Sequence, residues 1–261
     1  MSPDPIIRPD TLLVADLHPS PNIEPRKAGY TPSILILHYT GLPTVERALD
    51  VLSRPDCKVS CHYVIDEDGR IIQMVAEDTR AWHAGVSYWG GETDINSASI
   101  GIEIQNPGHM LGYPDFPPVQ MRAVAALSRD ITRRHGIAPH RVLAHSDVAP
   151  GRKIDPGEKF DWAWLAGEGV GHWVAPAPIE DGDEDIPPGS RQRDVDRARA
   201  LLAAYGYKVD PKGALDPELQ TVLRAFQLHF RQERCDGQLD RSTLDTLSRL
   251  GVPSLKDDRI A

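Results

Sequence analysis

Two histidines and one short polar loop are the groups in this sequence best suited to catalysis. His38 lies at the carboxyl end of the apolar run ILILHYT, and strand ends of this kind face the crevice where α/β proteins bind ligands. The segment AHSDVAPGRKIDPG places His145, Lys153 and Asp155 in a loop whose prolines and glycines constrain the backbone. Two imidazoles and one carboxylate match the ligands of a catalytic zinc site, which leaves a fourth position for water.

Composition and charge limit the classes of protein to which the chain can belong. Among its 261 residues, 40% are hydrophobic and 26% are charged, as in an ordinary globular protein with a sizeable core. The net charge of −9 leaves no basic stripe for phosphates, which argues against nucleic acids and anionic membranes as partners. No apolar run approaches the roughly 18–20 residues of a membrane-spanning helix. We therefore expect no nucleic acid partner and no membrane span.

The elements that must position the polar groups alternate between strands and helices. Apolar runs and period-two alternation predict strands, one pair of which forms a hairpin with glycine at its turn. Apolar residues at helical spacing predict helices. The predicted strands lie at 34–40, 62–66, 70–75, 99–105 and 141–145, and the predicted helices at 44–53 and 117–136. This order predicts an α/β fold with a mixed central sheet flanked by helices, and a proline-rich irregular arm over residues 1–30.

A change in composition predicts a domain boundary at residues 174–190. This segment, VAPAPIEDGDEDIPPGS, is rich in proline and acid, and such a segment buries too little apolar surface to order itself. It predicts a semi-extended linker between a first domain, 1–173, and a small three-helix domain, 191–261. The alternative is a long surface loop within one domain. Asp216 and Asp240 are the predicted N-caps of the second and third helices of the C-terminal domain.

Four segments together resemble a known enzyme family. ILILHYT (34–40), WHAGVS (82–87), SIGIEIQN (99–106) and AHSDVAPGRKIDPG (144–157) resemble the zinc-dependent N-acetylmuramoyl-L-alanine amidases of the AmpD and AmiD type. These enzymes are relatives of phage lysozyme-amidases and of peptidoglycan recognition proteins. The resemblance covers roughly residues 30–166. It implies a bacterial cell-wall hydrolase that cleaves the amide between N-acetylmuramic acid, or its anhydro form, and the L-alanine of the stem peptide.

The resemblance also implies roles for single residues. His38, His145 and Asp155 match the family's zinc ligands, with one ion per chain. Glu103 matches its catalytic glutamate, which would accept a proton from water and return it to the leaving amine. Lys153 matches its catalytic lysine, which would stabilise the oxyanion. On the residues alone, the alternatives are an ordinary strand-end carboxylate at Glu103 and a lysine that only neutralises Asp155.

Further positions concern the substrate groove. Trp82 and His83 match positions whose side chains line the muropeptide groove in the family. Cys61 occupies the place where phage enzymes and recognition proteins often carry a catalytic tyrosine, which leaves the glutamate as the base and makes His62 structural. Trp89, beside two glycines, is predicted to border the groove in a mobile segment.

The C-terminal part resembles the three-helix peptidoglycan-binding domains that accompany many wall hydrolases. The resemblance rests on LLAAYGY, GALD, FQ and DGQLD; the alternative is a docking domain without a ligand. A tethered wall-binding domain would raise the concentration of substrate near the groove, and a chain ending at residue 190 would still cleave soluble fragments. Two other functions stay open: a non-catalytic muropeptide sensor, and a wall-anchoring protein.

Compartment and thiol state follow from weaker signals. The first ten residues show no basic region followed by an apolar one, so a cytoplasmic location is the default expectation. A peptidoglycan-binding domain favours the periplasm or cell envelope instead. Cys57 and Cys61 could form a disulfide, but an odd total of three cysteines favours free thiols.

Overall fold

A computed structural model describes residues 8–180 and 191–251. The rest of the predicted linker and both chain ends lie outside the described residues. The strands are β1 (Asp16–Leu17), β2 (Ile23–Pro25), β3 (Ile34–Tyr39), β4 (Tyr63–Ile65), β5 (Ile71–Gln73), β6 (Thr79–Ala81), β7 (Ser99–Ile104) and β8 (Val142–Ala144). The helices are α1 (Val45–Ser53), α2 (Ile95–Ala98), α3 (Pro118–His135), α4 (His145–Val148), α5 (Trp162–Gly167), α6 (Arg191–Tyr205), α7 (Pro217–Phe230) and α8 (Arg241–Arg249).

A six-stranded mixed sheet forms the centre of the first domain, in the order β1-β5-β4-β7-β3-β8. β3 pairs in parallel with β7 and β8, and β7 pairs in parallel with β4. The residues Ile34 to Leu37 are completely buried, as expected for a parallel strand covered on both faces. The α/β fold with a mixed sheet and flanking helices is confirmed.

Most predicted elements are confirmed, with a shift at the end of β8. The predicted strand over 141–145 ends at Ala144, and His145 begins the short helix α4. The N-terminal arm is more ordered than its proline content indicates, because β1 pairs with β5 and β2 pairs with β6. The three cysteines are free thiols. Within residues 8–180 and 191–251, no helix has both the length and the apolar character needed to cross a membrane.

Residues 174–180, predicted from composition to belong to a free linker, lie along α8 instead. The backbone N–H of Ala177 donates to Thr246 Oγ1 at 2.9 Å, and Ser242 Oγ donates to the Ala177 carbonyl at 2.7 Å. Arg249 Nη1 donates to the carbonyl of Ala175 at 3.0 Å. The start of the predicted linker is therefore bonded to the C-terminal helices.

The first domain and the C-terminal helices share one apolar core. A single buried cluster joins sheet residues such as Ile36 and Leu143 to Leu202, Phe226 and Phe230 of α6 and α7. Because hydrophobic stabilisation grows with the apolar area removed from water, the two parts stabilise each other.

Trp89 belongs to this shared core, and its predicted place in a mobile segment is wrong. Its side chain is buried and packs edge-to-face on Tyr207, with ring centroids 4.8 Å apart, and on Tyr205, with centroids 5.8 Å apart. The indole therefore joins the first domain to the end of α6.

A buried ionic cluster ties the hairpin to the end of α3. Glu77 accepts hydrogen bonds from Tyr63 Oη at 2.6 Å, from Arg134 Nη2 at 2.7 Å and from His135 Nε2 at 2.6 Å. Burial opposes ionisation of this carboxyl group, but these donors, Arg134 foremost, prevail and lower the pKa of Glu77 to about 2.

We expect Glu77→Gln to lower the free energy of unfolding by about 3 kcal/mol at neutral pH, because it leaves buried donors without their charged partner. In the wild type, this stabilisation is present above the ordinary carboxyl pKa of 4.5 and is lost as the pH falls toward about 2. The variant should therefore lose less stability on acidification. Urea unfolding across this pH range measures both effects, and identical pH dependence in the two proteins would contradict the assignment.

Candidate metal and catalytic site

The sheet topology brings the predicted chemical groups to one edge. His38 near the end of β3 lies beside Glu103 of β7 in register, and His145 directly follows β8. The carboxyl ends of neighbouring parallel strands meet at the same edge of a sheet. Asp155 arrives from the loop after α4, where its carbonyl accepts the backbone N–H of Ser146 at 3.1 Å.

Three ligand-type atoms converge at this edge. His38 Nδ1 and His145 Nδ1 lie 2.9 Å apart. Asp155 Oδ2 lies 3.1 Å from the first nitrogen and 3.0 Å from the second. All three side chains are buried. The three predicted metal ligands therefore meet, although His38 lies more than one hundred residues before the other two in the chain.

The hydrogen-bond partners of His38 leave its Nδ1 without a proton. The Ile95 carbonyl can only accept, so Ser99 Oγ–H donates to it at 2.5 Å. The Ser99 oxygen then accepts a hydrogen bond from His83 Nε2–H at 3.2 Å. His83 Nδ1 then accepts from His38 Nε2–H at 3.0 Å. A neutral imidazole with its proton on Nε2 carries a lone pair on Nδ1.

Burial keeps these two imidazoles neutral. It lowers the pKa of His38 to about 4, with nearby His145 acting in the same direction. Burial also lowers the pKa of His83 well below its usual value. At neutral pH the proton arrangement deduced from the hydrogen bonds therefore holds.

His145 is oriented in the same way by a backbone carbonyl. Its Nε2–H donates to the Ala84 carbonyl at 3.2 Å, and an imidazole that binds a metal through Nδ1 keeps its proton on Nε2 in this way. Two nitrogen lone pairs and one carboxylate oxygen therefore point at one another.

This donor set fits a divalent zinc ion. Neutral imidazoles and carboxylates are ordinary zinc ligands. The other ring nitrogen of each histidine donates its N–H to a protein acceptor, as in most metal-bound histidines. Tetrahedral zinc with bonds near 2.0–2.1 Å keeps its ligand atoms about 3.3 Å apart. The separations of 2.9, 3.0 and 3.1 Å are close to this value.

His145 and Asp155 border a cleft of about 470 Å³, which Trp82, His83, Glu103 and Lys153 also line. Glu103 Oε2 is buried and has no hydrogen-bond partner among the described residues. Burial, and then the Asp155 carboxylate, raise the pKa of Glu103 well above its usual value, while Lys153 opposes this shift. The metal-type donor set thus lies beside a carboxyl group of which one buried oxygen has no hydrogen-bond partner in the described part of the chain.

Trp82 and His83 occupy different places in the wall of the cleft. Trp82 is half-buried, whereas His83 lies behind His38 and has both ring nitrogens engaged. His62 is bonded to backbone on both sides, accepting from Gly101 N–H at 3.0 Å and facing the Thr79 carbonyl at 3.0 Å. Contact of Trp82 and His83 with substrate stays a prediction.

Three residues next to the site were not found from the sequence. Asp147, in the turn that begins at His145, accepts hydrogen bonds from Tyr207 and His229. These partners lie 60 and 82 residues further along the chain, and no local pattern links them to Asp147. The one available signal was the place of Asp147 two residues after the end of the predicted strand over 141–145, where an acid can cap a helical turn.

Two family profiles match the chain. Residues 28–158 match the family described as N-acetylmuramoyl-L-alanine amidase. Residues 191–247 match a domain described as "Putative peptidoglycan binding domain".

Relatives in the same families share much of the sequence. The N-acetylmuramoyl-L-alanine amidase AmiD of Escherichia coli is 38% identical over 225 residues, which cover 80% of this chain and 79% of that protein. The 1,6-anhydro-N-acetylmuramyl-L-alanine amidase AmpD of Escherichia coli is 36% identical over 162 residues, covering 56% of this chain and 86% of that protein.

Solved structures agree with the fold of both parts. AmiD from E. coli in complex with the substrate anhydro-N-acetylmuramic acid-L-Ala-D-γ-Glu-L-Lys superposes with a TM-score of 0.70 at 34% identity, covering 86% of this chain and 90% of that one. AmpDh3 from Pseudomonas aeruginosa in complex with anhydromuramic pentapeptide gives a TM-score of 0.71 at 34% identity, covering 85% and 93%.

Gly101 in β7 leaves the room that the ring of His83 occupies. A Cβ atom at this position would lie 2.5 Å from His83 Nδ1. We expect Gly101→Ala to lower the free energy of unfolding by about 1–3 kcal/mol, because the buried ring must move. Urea unfolding measures this loss. In the control Gly167→Ala the added methyl group meets no atom within 4 Å, and stability should not fall; equal stability of both variants would contradict the close packing at Gly101.

Proposed function

Because the chain belongs to the N-acetylmuramoyl-L-alanine amidase family, we propose that it hydrolyses the amide bond between N-acetylmuramic acid, or its 1,6-anhydro form, and the L-alanine of a stem peptide. The observation that carries this proposal is the convergence of His38, His145 and Asp155, two of which, His145 and Asp155, line one cleft together with Glu103 and Lys153. The anhydromuramyl peptides bound by AmiD and AmpDh3 support this class of substrate.

Zinc is the proposed cofactor, with one ion held by His38 Nδ1, His145 Nδ1 and Asp155 Oδ2. The support is the convergence of three donor atoms that carry no proton, within 3.1 Å of one another. When bound, zinc supplies polarisation of the scissile carbonyl and a lowered pKa for water.

Glu103 is the proposed general base and acid. It takes a proton from the attacking water and delivers it to the nitrogen of the leaving L-alanine, which departs as a neutral amine. Its buried Oε2 has no competing partner among the described residues. Burial favours the protonated carboxyl group, while Lys153 and a nearby dication favour the carboxylate that the base requires.

Lys153 is the proposed stabiliser of the negative charge that develops on the scissile carbonyl oxygen. It lines the same cleft as Glu103, His145 and Asp155. A positive charge held in place before the reaction stabilises the developing oxyanion without reorganisation.

We also propose roles for the wall of the cleft and for the C-terminal helices in binding the substrate. Trp82 supplies an aromatic face in the cleft, and His83 contributes to its floor behind His38. We propose residues 1–173 as the catalytic domain and residues 191–261 as the peptidoglycan-binding domain, supported by the two profile matches.

Glu103→Gln separates metal binding from catalysis. We expect this variant to keep one zinc ion per chain and to lose about 10²–10⁴-fold in turnover, because the amide cannot take up the proton. Elemental analysis and mass spectrometry of the products from a defined anhydromuramyl peptide measure the two quantities. Glu168→Gln at the end of α5 is the control and should turn over normally. Wild-type rates in Glu103→Gln would exclude Glu103 as the base.

His145→Ala and Asp155→Ala should retain little zinc after dialysis against a chelator, since each removes one of three protein ligands. The wild type should retain the ion and lose cleavage only when it is stripped. If fully zinc-loaded wild type binds the muropeptide without cleaving it, the protein is a sensor and the proposed activity is wrong.

A further inference from the structure

A buried carboxylate links the metal-site turn to the C-terminal helices. Asp147 Oδ1 accepts from Tyr207 Oη at 2.6 Å, and Asp147 Oδ2 accepts from His229 Nδ1–H at 2.7 Å. The residues Asp147, Tyr207 and His229 are 1%, 2% and 1% exposed. A carboxylate this deeply buried depends on its donors for stability, and the C-terminal helices supply two of them.

Asp147 also closes the turn from which His145 projects. Its Oδ2 accepts the backbone N–H of Ala144 at 2.8 Å, across the junction between β8 and α4. The helix α4 has only four residues, so its own hydrogen bonds do little to hold its orientation. The direction of the Asp147 side chain therefore influences the direction of His145.

The ring of His229 is fixed on its other side by aromatic packing. It stacks on Trp162 of α5 with centroids 3.7 Å apart and on Phe230 with centroids 4.0 Å apart. Its Nε2 has no hydrogen-bond partner among the described residues. The imidazole is thus held so that Nδ1–H points at Asp147.

The C-terminal helices hold a second loop that supports His145. Gly90 N–H donates to the Gly206 carbonyl at 2.8 Å, and Trp89 lies against Gly206 so closely that a Cβ there would be 2.6 Å from the indole. This loop begins at Ala84, whose carbonyl orients the ring of His145. Both supports of His145, the turn and the loop, therefore contact the end of α6 or α7.

We infer that the C-terminal helices are part of the metal site's support: Tyr207 and His229 are positioning residues that hold His145, through Asp147, in the orientation of a metal ligand. The inference rests on the proposed function in that His145 is taken as a zinc ligand. It argues against the expectation that a chain ending at residue 190 would still cleave soluble fragments, because that chain would leave Asp147 without two donors and would expose Trp89.

The test uses the full-length protein with conservative changes. Tyr207→Phe removes one donor to Asp147, and His229→Leu removes the other while retaining bulk. We expect each to weaken zinc binding by about 10–100-fold, the usual effect of losing a group that orients a metal ligand. Chelator competition measures zinc affinity, and the visible absorption spectrum of the cobalt-loaded protein reports the ligand geometry. His229→Asn places an N–H near the position of Nδ1 and should restore most of the affinity.

Tyr63→Phe is the matched control. It also removes a buried hydroxyl that donates to a carboxylate at 2.6 Å, in this case Glu77. It should lower the melting temperature of the metal-free protein while zinc affinity and the cobalt spectrum stay as in the wild type.

The outcomes separate this inference from the proposed function. If Tyr207→Phe and His229→Leu lower the melting temperature as Tyr63→Phe does but bind zinc with wild-type affinity, their role is structural only and the inference is wrong. If the wild-type protein itself fails to bind zinc, the proposed function fails instead.

Discussion

The central constraint in this structure is that three acceptor atoms face one another with no proton between them. Such a group is electrostatically unfavourable unless a cation lies among its members or one of them takes up a proton. The protons of His38 and His145 are committed elsewhere, because chains of hydrogen bonds end on the carbonyl oxygens of Ile95 and Ala84. Since a backbone carbonyl cannot donate, the tautomers of the rings are determined by the main chain.

The parallel part of the sheet holds the groups of the site close together, because the backbone of the strands already fixes their positions. His38 and Glu103 lie in register on adjacent strands, so their separation follows from the ladder itself. Asp155 comes from a loop, and Arg152 of that loop donates to the Ala84 and Val86 carbonyls. Sites built on strands, with the remaining members tied down by side-chain bonds, keep the geometry that catalysis needs.

The sequence predicted the fold, and it predicted which groups meet at the edge of the sheet, because both leave local signals; the roles of these groups in metal binding and catalysis stay predictions. An imidazole at the end of an apolar strand and a constrained polar loop identified His38, His145 and Asp155, and the family resemblance added Glu103 and Lys153. The positions of Trp89 and of residues 174–180 differ from the predicted ones, because composition describes a segment and not the surface on which it packs. The bonds of Asp147 to Tyr207 and His229 join residues far apart in the chain and also left no local pattern.

The apolar cluster that spans both parts of the chain has a thermodynamic consequence. Two domains on a flexible tether melt independently, whereas parts that share a core unfold as one cooperative unit. An ion that binds only the folded state stabilises that whole unit, the C-terminal helices included. If the cleft binds zinc as proposed, the sensitivity of α6 to α8 to heat and proteases should depend on how much metal the protein has bound.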